Sequence, residues 1–155
     1  MRDTDETGGG RPALDPPPHT RWSLIALVAF GGAIGTAGRA VLAQALPAVD
    51  GISWTVLAIN VVGAFCLGLL LEALAHRGPD EGRLRSARLL LGTGVLGGFT
   101  TYSTLAVDAA TLLQGGRLGA AAGYGVVSVA AGLVAVVVGV VVATALRPDA
   151  GGARR

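Results

Sequence analysis

The chain has 155 residues, 52% of them hydrophobic and only 14% charged, with 12 basic side chains against 10 acids and a net charge of +2. That balance excludes a soluble globular protein, and four apolar stretches with short joins leave no room for a soluble catalytic domain. The stretches, residues 22–46, 54–74, 89–113 and 118–146, each meet the length of about 20 residues that a membrane span needs.

Residues 1–21 set Arg2, Asp3, Asp5, Glu6, Arg11 and Asp15 among glycines and the run Pro16-Pro17-Pro18, a composition that cannot bury enough apolar surface to fold. A disordered N-terminal tail is expected there, followed by a transmembrane domain over 22–146 and a C-terminal tail over 147–155. The leading segment is mixed in charge and the first apolar stretch is too long for a signal peptide, so that stretch is expected to stay in the mature protein.

In the first span Gly31 and Gly35 lie one helical turn apart and offer a flat face for close helix packing. Arg39 follows inside the same span, where a charge is costly and turns to protein or water. It stands about 10 Å from the span end at about 1.5 Å per residue. Two readings are open for it: an anchor snorkelling to the outer interface, or a vestibule residue that attracts anions.

The second span buries Asn60 between apolar neighbours, where an amide costs free energy unless it finds partners. Either it bonds to another helix or it presents a donor to an ion path. Cys66, the only cysteine, allows no internal disulfide and suits packing. Glu72 falls near the headgroups at the end of this span.

The third span contains Gly97-Gly98-Phe99-Thr100-Thr101-Tyr102-Ser103-Thr104, a composition that weakens a helix where every backbone group should be bonded internally. A break is expected within that run, freeing carbonyls and hydroxyls at membrane depth. Irregular backbone there is tolerated only when buried in protein or lining a polar path, which points to ion or solute handling. Gly92-Thr93-Gly94-Val95-Leu96-Gly97 spells GxGxxG, but without a strand before it the nucleotide reading is discarded. Asp108 lies towards the outer end of the span.

In the fourth span Tyr124 and Ser128 stand one turn apart on one helical face. Each has a plain structural reading, as an interface aromatic and as a back-bonding hydroxyl, beside a polar one. Gly123-Tyr124-Gly125 lacks the Thr-Val of a potassium filter.

Arginine placement orients the bundle. Arg2, Arg11, Arg21, Arg77, Arg83, Arg85, Arg88, Arg147, Arg154 and Arg155 fall on one side of a four-span topology, and Arg117 alone falls in the loops of the other, beside Asp50 and Asp108. Loop arginines stay in the cytoplasm, so both termini are expected inside a multi-pass plasma-membrane protein that inserts one way.

Three motifs now converge on one family. Gly31-Gly32-x-x-Gly35-x-x-x-Arg39, Asn60-x-x-Gly63-x-Phe65-x-x-Gly68 and Gly94-x-x-Gly97-Gly98-Phe99-Thr100-Thr101-Tyr102-Ser103-Thr104, in this order and frame, resemble the Fluc (CrcB) fluoride channels over about residues 22–146. The resemblance implies an all-α membrane protein of four transmembrane helices, with the third broken near its middle. It also implies an antiparallel, dual-topology-type dimer of oppositely oriented subunits in the lipid bilayer, with fluoride pores along the subunit interface.

A central sodium ion, structural and not transported, is implied as well, held by backbone carbonyls that map to Gly97 and Thr100. Fluoride holds its water tightly, so a pore must replace that hydration with donors. The fluoride-pathway residues that follow are Asn60, Tyr102, Ser103, Thr104, Tyr124 and Ser128, with Arg39 at a vestibule. The implied role is passive export of toxic cytoplasmic fluoride, with no enzymatic turnover and no nucleic-acid partner.

The chain departs from the family in two places. The family's paired phenylalanines are replaced by Tyr102 and Leu105, and leucine lacks the positive ring edge that could meet an anion. Gly132 stands where the polar track of the fourth span often carries another hydroxyl. The arginine bias speaks against insertion in both directions, and together with the altered aromatic pair it favours a related but different chain as the partner subunit, with a homodimer as the alternative.

Two other functions stand beside this one. A small proton-coupled multidrug exporter needs an ionisable group deep in a span, and the first and fourth spans have no acid. A non-conducting packing subunit is kept open by Leu105. An intramembrane enzyme would need clustered acid, base and nucleophile, whereas His19 lies in the tail and His76 in a loop.

Overall fold

The computed structural model describes residues 21–46, 49 and 52–147. The expected N-terminal tail, up to residue 20, and the C-terminal tail, from residue 148, lie outside the described residues. Helix α1 spans Trp22–Ala45 and α2 spans Trp54–Ala75. A short helix α3, Gly82–Ala87, runs into a π-helical stretch, Arg88–Leu96, and one further turn, α4, Gly97–Phe99. After a break come α5, Tyr102–Gln114, and α6, Leu118–Ala145.

Four segments are long and apolar enough to cross a membrane: α1, α2, the composite Gly82–Gln114 and α6. Among the described residues no sheet forms, and Val49 and Ile52 make an isolated bridge in the loop between α1 and α2. The third span begins at Gly82, seven residues before the expected 89. Its arginines need not leave the helix, because Arg88 is neutralised locally by a two-pronged pair with Asp80, one bond being 2.9 Å.

Glycines set the packing, because in lipid helices are drawn together by close backbone approach and not by escape from water. A methyl on Gly31 would strike the Leu90 carbonyl oxygen, and one on Gly35 would strike that of Val95 and lie 2.8 Å from Phe99 N. The first span therefore lies flat on the π-helical stretch, as Gly31 and Gly35 lead one to expect. Gly68 meets Val136 and Gly139 meets Phe65 in the same way, pressing α2 against α6. Trp22 and Trp54, 82% and 57% exposed, open successive spans and so mark opposite membrane interfaces.

The π-helical stretch, like α3 before it, is an element that composition did not announce. Its wider winding sends the Gly97 N–H back to Gly92 O. Such insertions collect at functional sites, and this one leads directly into the break.

Candidate functional site

The third span breaks at Thr100 and Thr101, both extended, with φ/ψ of −75°/157° and −147°/124°. The break falls inside the expected run but after the glycine pair, not at it. Gly97 and Gly98 keep helical conformation. Their smallness serves packing: a methyl on Gly98 would collide with Gly32 O.

Asn60 holds the break open. Its Oδ1 accepts from Thr101 N–H at 2.8 Å, and its Nδ2–H donates to Thr101 O at 2.9 Å. Both polar groups of the unwound residue are thereby met by one amide from α2, which removes the penalty of unpaired backbone in an apolar setting. Gly63, one turn along α2, leaves room for the Thr100 methyl, which any side chain at 63 would overlap.

The diverted bonds decide which carbonyls are released. In a continuous helix Gly97 O would accept from Thr101 N–H, which goes instead to Asn60. Thr100 O would accept from Thr104 N–H, which goes to Thr101 Oγ1 at 3.3 Å. Gly98 O is met from α1, by Thr36 Oγ1 and by Arg39 Nε, each at 3.3 Å. Arg39 thus turns its Nε to the broken span.

The hydroxyls beyond the break form a small network around Thr101 Oγ1, with Ser103 Oγ at 3.1 Å and Thr104 Oγ1 at 3.2 Å. Asn60, Gly97, Thr100, Thr101, Tyr102 and Leu105 line a cavity of about 360 Å³ between α2 and the third span. Tyr102 stands at its rim, 81% exposed, whereas Leu105 is 9% exposed and packs with Leu112, Ala121 and Tyr124. The two residues at the family's paired-ring positions therefore face different surroundings.

Tyr124 and Ser128 are both buried, at 6% exposure. The Tyr124 hydroxyl lies 3.2 Å from Ser53 O and 3.3 Å from Asp108 Oδ2, and Ser128 Oγ donates to Tyr124 O at 2.6 Å. Ser128 therefore makes the back-bond of a helix hydroxyl. Among the described residues no group of three His, Cys, Asp or Glu side chains is placed to hold a metal ion.

The broken third span, the glycine-packed first span and the Asn60 clamp coincide with a known family: residues 26–140 match the model of the CrcB-like protein, Camphor Resistance (CrcB). The chain belongs to the CrcB family. It is 49% identical over 130 residues to fluoride-specific ion channel FluC 2 of Leifsonia xyli, covering 84% of this chain and 90% of that one. It is 52% identical over 110 residues to fluoride-specific ion channel FluC 1 of Cutibacterium acnes, covering 70% and 77%. A third relative, FluC 1 of Mycobacterium tuberculosis, is 41% identical over 120 residues, 77% of this chain and 89% of its own. These CrcB relatives are named as ion channels and not as enzymes, and four spans make the chain a multi-pass membrane protein.

Within this CrcB frame Asp108 is the residue that sequence reasoning passed over. Sequence alone places it only towards the outer end of the span, yet it faces the Tyr124 hydroxyl from α5. A polar residue on each of two consecutive spans was the available signal, since a short turn at residues 115–117 folds α6 back along α5.

Proposed function

We propose that the chain is one subunit of a passive fluoride channel of the cell membrane, which carries fluoride out of the cytoplasm and so lowers its toxicity. The observation that carries this reading is the Asn60 clamp on Thr101, because it keeps polar backbone available at membrane depth beside a cavity. Names of relatives over most of the chain point the same way. Fluoride enters cells as uncharged HF in acid surroundings and ionises inside, so a passive pore suffices for efflux.

Gly97 O and Thr100 O fit a structural, non-transported sodium ion, since both have lost their helix donors and hard oxygens suit an alkali cation. Bound there, sodium would supply a fixed positive charge that lowers the barrier to an anion. The chain's own groups do the rest. Asn60 spends one amide hydrogen on Thr101 O and keeps a second for an ion path. Ser103 and Thr104 offer rotatable hydroxyls beside Tyr102 at the cavity rim, and Tyr124 with Ser128 continues a polar track along α6. Arg39, aimed at the broken span, draws anions to the vestibule.

The second subunit lies in the opposite orientation and is a related but different chain. Arg21, Arg77, Arg83, Arg85, Arg88 and Arg147 gather at the ends that face the cytoplasm with both termini, and Arg117 stands in the opposite loop, so this chain inserts one way. A second reading, a packing subunit without a pore of its own, is favoured by one observation: Leu105 is buried in an apolar cluster where a ring would face an anion. Fluoride efflux from liposomes separates the two. Robust flux from this chain alone would overturn the requirement for a different partner. Flux only with the partner supports the heteromeric channel, and flux unchanged by Asn60→Leu or Tyr102→Ala in this chain would make it a packing subunit.

A further inference from the structure

Where α1 begins, Arg21, Arg83 and Arg85 converge on a second cavity, of about 470 Å³, completed by Leu24, Gly82 and Ser86. Two separate helices contribute the cations, Arg21 from the cap of α1 and the other two from α3. Among the described residues no acidic side chain lines it. Of the described acids nearby, Asp80 is engaged by Arg88 through two bonds, and its carboxylate lies 4.0 Å from Arg85. Arg85 Nε donates instead to the Asp80 main-chain oxygen at 2.9 Å, leaving its terminal nitrogens to other acceptors. Glu81 is exposed on the approach to α3.

The cavity also stands at a membrane boundary. Trp22, beside Arg21, is 82% exposed, and Ile25 and Phe30 continue an apolar surface down α1 at 43% and 64% exposure. A cationic cup above a lipid-facing apolar strip matches a molecule with an anionic head and hydrocarbon tails. Guanidinium groups grip phosphate oxygens in pairs, and basic pockets between transmembrane helices are suited to lipid headgroups. We propose that this cavity binds the phosphodiester headgroup of an anionic phospholipid, with its acyl chains along α1. The proposal goes beyond the fluoride reading and does not rest on it.

The test uses the full chain in its assembled form, in phosphatidylcholine vesicles carrying brominated phosphatidylglycerol or brominated phosphatidylcholine at equal mole fraction. Trp54→Phe, with any partner tryptophan replaced likewise, leaves Trp22 as reporter. Brominated phosphatidylglycerol is expected to occupy the site about fivefold more readily than brominated phosphatidylcholine, judged by quenching. The triple variant Arg21→Gln, Arg83→Gln, Arg85→Gln should bring that ratio to about one, whereas Arg77→Gln with Arg147→Gln, arginines of the same end outside the cavity, should leave it unchanged. Circular dichroism checks that each variant is folded. Equal quenching by the two lipids, or equal loss in both variants, would overturn the proposal by reducing it to general surface charge. Loss of the preference on adding inorganic phosphate would overturn the lipid as occupant in favour of free phosphate.

Discussion

Asn60 and Thr101 meet as two residues of an antiparallel ladder would, each giving and taking one bond, at 2.9 and 2.8 Å, although one uses its side chain and the other its main chain. Asn60→Leu leaves both Thr101 groups unpaired, at about 1–3 kcal/mol each. Thermal unfolding of the detergent-solubilised assembly should therefore move well down, and fluoride efflux should fall with it. Asn60→Asp keeps the acceptor but sets a carboxylate oxygen against Thr101 O at membrane depth, so its loss should be at least as large. An unchanged midpoint for Asn60→Leu would mean that something else holds the break.

Packing at Gly35 and Gly98 admits no side chain, and Gly123 on α6 has nothing within 4 Å of an added methyl. Gly35→Ala and Gly98→Ala should each destabilise by about 1–3 kcal/mol or prevent assembly, because the colliding atoms are backbone and cannot rotate away. Gly123→Ala should be neutral or slightly stabilising, since alanine is the better helix former. Expression level and melting of the three variants give the comparison, and a harmful Gly123→Ala would mean that a partner helix sits on that face.

The glycine face of α1 and the weak helix at residues 97–104 were legible because both depend on local pattern. Where within that run the helix opens was not. The position is chosen by Asn60, 41 residues earlier, whose amide can satisfy Thr101 and no neighbour in its place. Gly97 and Gly98 promised the break by propensity, but Gly98 is pressed against Gly32, and that contact requires helical backbone. The start of the third span at Gly82 was hidden for a related reason. Arg83, Arg85 and Arg88 read as loop until Asp80 is seen to receive two of them.

Sodium bound to main-chain oxygens should stabilise the folded assembly in proportion to the logarithm of its concentration. Above the dissociation constant, each tenfold rise adds about 1.4 kcal/mol. Melting in sodium chloride should rise accordingly, while N-methylglucamine chloride at the same ionic strength should give no rise. Thr100→Ala removes the 3.0 Å bond from Thr100 Oγ1 to Leu96 O and the methyl beside Gly63, but leaves the carbonyl. It should lower the baseline midpoint and keep the sodium slope. Loss of the slope in that variant would shift the cation contact from main chain to side chain.

Tyr124 joins three elements, since its hydroxyl faces Ser53 O at the cap of α2 and Asp108 Oδ2 on α5 while its ring packs on Leu105 and Leu112. Tyr124→Phe keeps the ring and removes the hydroxyl, leaving Asp108 without that partner at a cost of about 1–3 kcal/mol. Asp108→Asn keeps an acceptor and removes the carboxylate. If the two groups act mainly through each other, the double variant should lose less than the sum of the single losses, with a coupling of about 0.5–3 kcal/mol. The same variants separate packing from conduction, because a purely structural Tyr124 lowers melting with flux per folded assembly unchanged. A fall in flux per assembly for Tyr124→Phe, unaccompanied by a fall for Leu112→Val in the same cluster, would tie the hydroxyl itself to the fluoride path.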